Sequence, residues 1–378
     1  MAITTMDGII NAFTGGKTYR SDFNKNFLPA NASATTGIWY DLSMGAGNPL
    51  MNSIIGSTVD LAHQAVTETT TTTCTNTSGT ITGTNLFTDT THGSTSRFTV
   101  GMILSGTGVS PGTYITSLGT GTGANNGGTY NTNVTANVGA TAITGTSSAG
   151  SILHGGDVST DVKNLVNMSI FSASATTAPV VFMLYDLLAV YTMSAATSIT
   201  EQSFTGQAAW PRYADGKGVR AMIVPSVATG AGASTVQLKY TRPTTGGTDT
   251  GRLTPAGPSL PILTASSPMG YVAYSGTGVG KYGPFLPLQA NDPGIASVQS
   301  ITMTTSRTSG CLNLLIVKPL AFMPVTTVGV ASERDFLNQL PSLPRIYDGA
   351  CLHLAMYSGI ASLPANSSFI GHIDTIWG

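Results

Sequence analysis

Apolar and polar positions in the C-terminal part of the chain follow a pattern that recurs after 133 residues. At this offset the apolar run 181–184 matches the run 314–317. Further segments match at the same offset. They are 168–170 and 301–303, Leu187 and Leu320, 219–221 and 352–354, and 236–240 and 369–373. Alternation and short apolar runs between turn residues are typical of β-strands. The pattern therefore predicts two copies of one β module, over roughly 166–245 and 299–378.

The clearest match within this repeat is a six-residue phrase, Pro-Arg-x-x-Asp-Gly. Its residues are Pro211, Arg212, Asp215 and Gly216 in the first copy and Pro344, Arg345, Asp348 and Gly349 in the second. Because proline fixes φ and Asp-Gly favours a tight turn, the phrase predicts a turn before the next strand. We predict that Arg212 pairs with Asp215 across the first turn. The same pairing is predicted for Arg345 and Asp348, and the phrase serves either as a structural turn or as a contact between subunits.

The charge content separates this chain from an ordinary soluble protein. Charged residues make up 9% of its 378 residues, against roughly 25% in typical domains. Together with 45 glycines and many Thr, Val and Ile residues, this composition favours an all-β protein with frequent turns. The formal net charge is −1, without the clustered Lys and Arg residues that mark a nucleic-acid-binding surface, so no nucleic-acid partner is expected. Because few charges protect the surface against association, we expect much of it to face other subunits.

These patterns predict an all-β fold with two tandem jelly-roll-like β-sandwich units related by the duplication, and a small inserted β domain. The predicted boundaries are 1–66 with 148–250 for the first unit, 67–147 for the insert and 251–378 for the second unit. Residues 1–35 are expected to form an arm that either docks on a neighbour or extends a sheet edge. The aromatic pair Trp39 and Tyr40 lies in a short strand and is expected to anchor the first sandwich.

The predicted insert is rich in Thr, Gly, Ser and Asn but keeps internal order. Strand-like stretches recur in it at 79–84, 100–109, 114–118 and 142–144. The succession of phrases G-T-I-T-G-T, V-G-M-I-L-S-G-T-G-V-S-P-G-T-Y-I-T-S-L-G-T-G-T-G and T-A-I-T-G resembles a small Gly/Thr-rich β module of tailed-bacteriophage structural proteins. Insertions are tolerated at exposed loop tips. The resemblance therefore implies a module that projects from the particle.

A larger resemblance rests on phrases spread over most of the remaining chain. They are W-Y-D-L-S with G-N-P at 39–49, H-G-G at 154–156, P-R-Y-A-D-G at 211–216, G-P-F-L-P-L-Q-A-N-D at 283–292 and P-S-L-P-R-I-Y-D-G-A at 341–350. Together they resemble a family of virion structural proteins of tailed phages, of the decoration or minor-capsid kind. The resemblance implies a component of the particle and no catalytic residues.

Cysteine and histidine residues are sparse and are not grouped as a metal or catalytic site requires. Cys74, Cys311 and Cys351 are odd in number and lack metal-ligand spacing, so Cys311 and Cys351 are predicted to be buried free thiols. His353 and His372 occupy alternating strand positions. A polar outer face explains these two histidines better than a zinc site, which needs three or four clustered ligands.

The acidic residues form no pair that suits hydrolysis. A glycosidase needs two carboxylates that face one cleft, and the candidates by residue type alone are Asp186, Asp215, Asp348 and Asp374. The charge-dense segment 333–335 is interpreted as the start of a helix, with Ser332 as its N-cap. We therefore expect no enzymatic activity and no cofactor or metal.

The residues and the resemblance together predict a non-enzymatic virion protein, a decoration or cement protein that stabilises a tailed-phage head. The expected partners are further copies of the chain, in a trimer, and the major capsid protein; a host-surface glycan is a candidate ligand of the insert. The alternatives are the major coat protein itself, as a double jelly roll, and a tail or fibre adhesin.

Two features of the sequence decide the expected location. The segment 1–17 lacks the basic start and apolar core of a signal peptide, so we expect synthesis in the host cytoplasm. The longest apolar stretch, 180–193, is too short to span a bilayer, so no membrane contact is expected. The mature protein is predicted to lie on the capsid surface.

Overall fold

The computed structural model shows an all-β chain built from antiparallel sheets, which confirms the predicted fold class. Neither helix of the described part has the length and apolar character that crossing a membrane requires. The described residues are 3, 5–27, 36–43, 47–48, strand segments between 66 and 147, 151–155, 158, 160–174, 177–192, 201–204, 210, 212–227, 234–244, 247–254, 261–263, 270–272, 274–275, 283–305, 311–339, 343–360, 363–364 and 367–378.

The elements are numbered along the chain. Those up to the end of the insert are α1 Met6–Thr14, β1 Thr18–Asn26, β2 Trp39–Asp41, β3 Gly47–Asn48, β4 Val66–Thr69, β5 Cys74–Asn76, β6 Leu86–Asp89, β7 Ile103–Gly106, β8 Ile115–Leu118, β9 Gly128–Thr132, β10 Val138–Thr141 and β11 Ile143–Ser147. Those that follow are β12 Lys163–Ser172, β13 Val180–Thr192, β14 Gln202–Ser203, β15 Arg220–Val227, β16 Ser234–Thr244, β17 Gly247–Leu253, β18 Pro261–Leu263, β19 Tyr274–Ser275, β20 Ser297–Met303, β21 Cys311–Val325, β22 Ser332–Asp335, α2 Phe336–Gln339, β23 Arg345–Ile346, β24 Leu352–Ser358 and β25 Ser368–Trp377.

Three sheets form the body of the molecule. The central sheet has the strand order β15-β21-β13-β24-β2. A first outer sheet has the order β22-β12-β25-β1-β3, with β23 also beside β12. A second outer sheet has the order β14-β20-β16-β18-β19, with β17 also beside β16. The body is thus a layered antiparallel architecture, as in β-sandwiches.

The predicted duplication is visible in these strands. β12, β13 and β15 of the first copy correspond at the 133-residue offset to β20, β21 and β24 of the second, and β16 corresponds to β25. An irregularity is repeated as well. Val166 bulges out of the pairing of β12 with β25, and Gln299, 133 residues later, bulges out of the pairing of β20 with β16. Because bulges are retained within related folds, the two copies share one backbone plan.

The predicted boundary between two separate units is wrong, because each copy lends strands to the other. β12 of the first copy pairs with β25 of the second, and β20 of the second pairs with β16 of the first. In the central sheet β24 pairs with β13 and β15 pairs with β21, again across the copies. A break between the predicted units at 250/251 therefore divides all three sheets of the body.

The length of two central strands explains this exchange. β13 has 13 residues and β21 has 15, against about five or six in an average strand. In β13, Phe182 and Leu184 pack in one apolar core, whereas Leu188 and Tyr191 pack in a second. The antiparallel β21 runs through the same two cores in the opposite order. Local alternation predicts these strands but not that each is shared by two cores.

The two cores lie on one face of the central sheet, and a third apolar cluster covers its other face. Trp39 and Tyr40 are neighbours in β2 and point to opposite faces. Tyr40 lies in the first core, where its ring is 4.9 Å from that of Phe27. Trp39 lies in the third cluster, 5.5 Å from the ring of Tyr357. Both residues of the predicted aromatic anchor are therefore buried.

The N-terminal segment extends a sheet edge, the second of the two predicted possibilities. β1 pairs with β25 along its whole length. The helix α1 before it was not predicted; Thr5 caps it by accepting a hydrogen bond from the Gly8 backbone N–H at 3.1 Å. One face of α1 packs on the body through Ala12. The other face leaves Met6, Ile10 and Phe13 exposed.

The charge-dense segment near residue 335 differs from the predicted helix start. Ser332–Asp335 is strand β22, which pairs with β12. The helix begins at Phe336, and Asp335, not Ser332, caps it by accepting a hydrogen bond from the Leu337 N–H at 2.8 Å. Pairing with β12, which makes this segment the edge strand of the sheet, thus delays the helix by one turn.

The described residues of the insert are β-strands that pair with one another. β10-β5-β6-β9-β8 form one sheet and β4-β11-β7 a second. Strands β7, β8 and β11 confirm three of the predicted stretches, whereas the predicted strand 79–84 lies outside the described residues. Val66 and Ser147 are register partners in the pairing of β4 with β11. The two ends of the insert therefore lie side by side.

Strand exchange predicts that neither half of the chain folds alone. A fragment of residues 1–254 and one of 255–378 should each lack a cooperative thermal unfolding transition, because each loses partners in every body sheet. Co-expression should restore a single transition and a 1:1 complex, measured by circular dichroism and size-exclusion chromatography. Two fragments that unfold cooperatively on their own would contradict the exchanged arrangement.

Candidate functional site

The two copies of the repeated phrase meet at an open cleft of 580 Å³, here called the turn cleft. Its lining comes from the first phrase, from the second phrase and from the middle of β21. The lining residues are Tyr213, Ala214, Asp215, Lys217, Lys318, Pro319, Leu320, Pro344, Arg345 and Tyr347. The duplicated motif thus forms both walls of one surface feature.

Both phrases form turns, as predicted. In the first, the Gly216 N–H donates to the Tyr213 carbonyl at 2.7 Å, and Gly216 has φ +67°. A Cβ atom there would lie 2.6 Å from backbone atoms of Ile295 and Ala296, so the position requires glycine. In the second, the Ala350 N–H donates to the Tyr347 carbonyl at 2.9 Å.

Of the remaining residues of the phrases, Pro211 lies outside the described residues. The Pro344 carbonyl accepts a hydrogen bond from the Leu165 N–H at 2.8 Å, which ties the second phrase to β12. Gly349 packs against the first phrase, since a Cβ there would lie 3.6 Å from Arg212 Nη1.

The predicted ion pairs across the turns are wrong. Arg212 points inward, with its side chain 7% exposed, and pairs with Asp186. Asp215 points outward, 59% exposed, at 3.8 Å from Lys217. In the second phrase Asp348 pairs with Lys163, and Arg345 stacks 4.2 Å from the ring centre of Tyr347. The residue types suit a turn, but backbone direction sends each Arg and Asp to different partners.

A buried ion pair within the first copy also contacts the second copy. Arg212 donates two hydrogen bonds to Asp186, at 2.9 and 2.8 Å, and a third to the Leu187 carbonyl at 2.9 Å. Asp186 also accepts from the Cys351 N–H, at the end of the second phrase, at 2.8 Å. Burial raises the pKa of Asp186, and the bidentate bond from Arg212 opposes that rise. β13 and both phrases are thereby held at one point.

A second buried cluster links the H-G-G phrase to the second turn. Lys163, whose side chain is fully buried, pairs with Asp348 at 3.1 Å and lies 3.3 Å from His154 Nδ1. His154 Nε2 lies 2.9 Å from the Ala350 carbonyl, so the ring donates through Nε2 and accepts from Lys163. Burial, with the charge of Lys163 adding to it, lowers the pKa of His154 to about 4.

A third cluster surrounds Asp41 of the W-Y-D-L-S phrase. Asp41 accepts hydrogen bonds from the hydroxyls of Tyr185 at 2.7 Å and Ser43 at 2.6 Å. Nearby Lys25 is buried, which lowers its pKa to about 8. His353 is buried too and does not lie on an outer face as predicted; burial, with the charge of Lys25, lowers its pKa to about 3.

A fourth cluster explains the phrase that ends at Asp292. This carboxylate accepts hydrogen bonds from Tyr240 at 2.5 Å, from Arg252 at 3.0 and 3.2 Å and from Arg242 at 3.2 Å. Burial opposes ionisation, but the bonds from Arg252, Tyr240 and Arg242 lower the pKa of Asp292. Asn291, with φ +68°, turns the chain so that Asp292 faces β16 and β17.

The remaining residues considered as metal ligands are the cysteines and His372. Cys351 is a buried free thiol, as predicted, with Sγ 3.3 Å from His353 Nε2, and burial raises the pKa of the thiol. The side chains of Cys74 and Cys311 lie outside the described residues. His372 is partly exposed, 3.7 Å from Asp374. Within the described ranges, no group of three or more acidic, His or Cys residues is placed to hold a metal ion.

Each of the four acidic candidates for hydrolysis has a cationic partner. Asp186 pairs with Arg212, Asp215 with Lys217, Asp348 with Lys163 and Asp374 with Arg20. In the two described clefts that these residues line, Asp374 and Asp215 are each the only one of the four candidates, so neither cleft holds two of them as a glycosidase pair requires.

The turn cleft itself is cationic and aromatic. The rings of Tyr213 and Tyr347 meet edge to face with centres 4.9 Å apart. Lys318 Nζ lies 5.4 Å over the ring centre of Tyr213 and donates to the Lys217 carbonyl at 2.8 Å. Burial lowers the pKa of Lys318. The cleft can therefore offer Lys217, Lys318 and Arg345 to an anionic group.

Sequence reasoning missed four of these cleft residues, which are Tyr213, Lys217, Lys318 and Tyr347. Tyr213 and Tyr347 lie inside the repeated phrase, at positions where its two copies differ. The phrase was therefore the sequence signal that could have located them. Lys318 lies in an apolar strand about a hundred residues from the first turn and has no local signal.

No protein-family model matches the chain, and no curated protein matches it. Solved structures give faint likenesses to the VP2 protein of infectious bursal disease virus. A point mutant in T=1 particles is 11% identical, with a TM-score of 0.14, over 86% of this chain and 80% of that one. The VP2 subviral particle is 10% identical, with a TM-score of 0.14, over 86% and 83%. Scores this low carry no argument about fold or function.

The buried ion pair predicts a large loss of stability when one partner is removed. Arg212→Met should lower the free energy of unfolding by about 3–5 kcal/mol, because it leaves Asp186 buried without its cation. The measurement is urea denaturation at pH 7. The matched control Arg20→Met removes a mostly exposed arginine that pairs with Asp374, so it should cost less than about 1 kcal/mol. Equal losses of unfolding free energy in the two variants would show that the buried pair contributes no more to stability than the exposed one.

The buried histidine predicts a loss of stability in acid. Because the folded pKa of His154 is about 4, below the ordinary value near 6.5, the unfolded chain binds the proton first as pH falls. Its contribution to stability is complete above about pH 6.5 and is lost by about pH 4, on the order of 3 kcal/mol. His353 adds a loss of the same sign.

The measurement is the free energy of unfolding against pH from 7 to 4. His154→Gln should reduce the slope in this window, whatever its effect at pH 7. His372→Gln, which removes a partly exposed histidine outside the buried clusters, is the matched control. A His154→Gln variant with the full wild-type slope would show that this ring does not couple protonation to folding.

Proposed function

We propose that the protein is a structural component of a tailed-phage virion, a decoration or cement protein on the head. The observation that carries the proposal is the duplicated, strand-exchanged β body of a chain with only 9% charged residues. Such a body is held together at several points and presents a surface poor in charge. Weakly charged surface is suited to burial between subunits. The phrase resemblance to phage virion proteins supports the same assignment.

Two surface features support contacts with neighbouring subunits. The exposed face of α1 presents Met6, Ile10 and Phe13 to solvent, although large apolar side chains are normally buried. The strand β3, two residues long, ends the first outer sheet beside β1. Decoration would stabilise a head by burying such surfaces over many copies, with free energy gained across the whole contact.

The duplication also supports a trimer on the head surface. One chain presents two copies of the module about the central pairing of β13 with β21, so three chains would present six. That number matches three-fold or six-fold positions of an icosahedral shell. The alternatives are the major coat protein and a tail adhesin. If the protein is an adhesin, the insert is the candidate contact with host glycans.

Sedimentation of the purified protein, alone and with undecorated phage heads, separates these proposals. A decoration protein should sediment alone as a discrete trimer and co-sediment with heads. Shell-sized particles from the protein alone would identify the coat protein. A small oligomer that does not bind heads would favour the tail, and a monomer would exclude the trimer.

Deletion of the insert gives the matched variant. Val66 and Ser147 are register partners, so joining the chain across them should leave the body intact. A decoration protein that lacks 67–146 should still bind heads with its affinity unchanged. Loss of binding to host cells, with head binding unaffected, would show that the insert has an adhesive role of its own.

A further inference from the structure

We propose that the turn cleft binds an acidic peptide segment of a partner protein, whose carboxylates are held by Arg345, Lys217 and Lys318. This inference goes beyond the virion assignment, since it names a site and the chemistry of its ligand. It rests on the internal repeat, the charges of the cleft and the state of its aromatic rings.

The first copy of the repeat shows what its arginine binds. Arg212 holds the carboxylate of Asp186 through two hydrogen bonds. At the 133-residue offset Arg345 corresponds to Arg212, whereas Pro319 stands where Asp186 would be expected. Arg345 and Pro319 both line the turn cleft. The second copy therefore has the arginine but not the acid, and a carboxylate from another chain can take the vacant role.

The charges of the cleft are unbalanced in favour of an anion. Among the described residues that line it, the one carboxylate is that of Asp215, which is mostly exposed and lies 3.8 Å from Lys217. Among the described residues, no carboxylate forms an ion pair with Arg345 or Lys318. Elsewhere in the described part, cations such as Arg20, Lys163 and Arg252 are paired with aspartates. An incoming carboxylate would therefore meet two cations, Arg345 and Lys318, that form no ion pair with the described residues.

The aromatic rings disfavour a nucleic acid or a stacked sugar. Bases stack on open aromatic faces in single-strand binding sites. In this cleft Arg345 covers a face of Tyr347, and Lys318 lies over Tyr213. The two rings also meet edge to face. The tyrosines therefore hold the cations in place and do not form a stacking platform.

The cationic groups are positioned before any ligand arrives. Arg345 lies in β23, whose backbone pairs with β12. Its guanidinium stacks on Tyr347, and Lys318 Nζ is held by the Lys217 carbonyl. A stacked, planar guanidinium presents its N–H groups to a carboxylate with little loss of rotamer entropy. The volume of 580 Å³ and the apolar walls of Pro319, Leu320 and Pro344 suit an extended peptide.

Fluorescence anisotropy with the full-length protein tests the inference without phage heads. The probe is a fluorescein-labelled decapeptide of alternating glutamate and alanine, and its matched control has glutamine in place of glutamate. The acidic probe should bind saturably, and its affinity should fall as the salt concentration rises. The control peptide should not bind. Arg345→Gln should weaken binding about threefold to fivefold, and Lys217→Gln combined with it should weaken binding further.

Three further variants complete the design. Arg20→Gln removes an arginine far from the cleft and should leave the affinity for the acidic probe unchanged. Pro319→Asp supplies a carboxylate from within the chain. This carboxylate should compete for Arg345 and so weaken the binding of the acidic probe. Thermal unfolding of each variant checks that the fold is retained, and Arg345→Lys, which keeps the charge, should retain part of the affinity.

Several outcomes would overturn the inference. These are saturable binding of the glutamine peptide with equal affinity, or acidic-peptide binding that Arg345→Gln in a folded protein leaves unchanged. Displacement of the probe by a ten-nucleotide oligothymidylate or by N-acetylneuraminic acid at lower concentration than by unlabelled peptide would assign the cleft to a different ligand class. Because no heads are used, failure here leaves the head-binding test of the virion proposal unaffected.

Discussion

The antiparallel pairing of β13 with β21 is the interaction on which the rest of the body depends. Both strands are long enough to run through two cores, and each carries a neighbour from the opposite copy. Every large apolar side chain buried along them contributes about 1.5–3 kcal/mol. Because the same backbone serves both cores, opening one core removes partners from the other. The duplicated chain is therefore expected to behave as one cooperative unit.

Buried polar groups then decide how the loops sit on this frame. Four clusters, centred on Asp41, Asp186, Lys163 and Asp292, each join one of the sequence phrases to a strand of the body. Phrases that stand out in the sequence as turns and odd polar residues thus coincide with the points where charges are buried and paired. A buried charge without its partner is costly. These phrases are constrained in residue type because each one satisfies a charge inside the body.

Strand positions, the duplication and the turn phrases could be predicted from the sequence, since alternation and turn chemistry are local properties. The partners could not. Arg212 and Asp215 are three residues apart, and local reasoning pairs them, yet the backbone sends Arg212 into the interior and Asp215 into solvent. His353 alternates like a surface residue, but β24 is covered on both faces, so its polar positions are buried. Long-range pairing decided each of these outcomes.

The same duplication that builds the body also produces its asymmetry. Two copies with matching apolar patterns could each close alone or exchange strands, and hydrophobic burial alone hardly distinguishes the two arrangements. Polar residues that differ between the copies break the symmetry. Asp186 binds Arg212 of its own copy and the Cys351 N–H of the other, whereas the side chain of its counterpart Pro319 can accept neither hydrogen bond. A buried ion pair adds little net stability, but an arrangement that separates its partners is strongly disfavoured. The second copy has Pro319 in place of the acid, and its Arg345 lies at the surface of the turn cleft. The matching Arg212 of the first copy is instead paired inside the body.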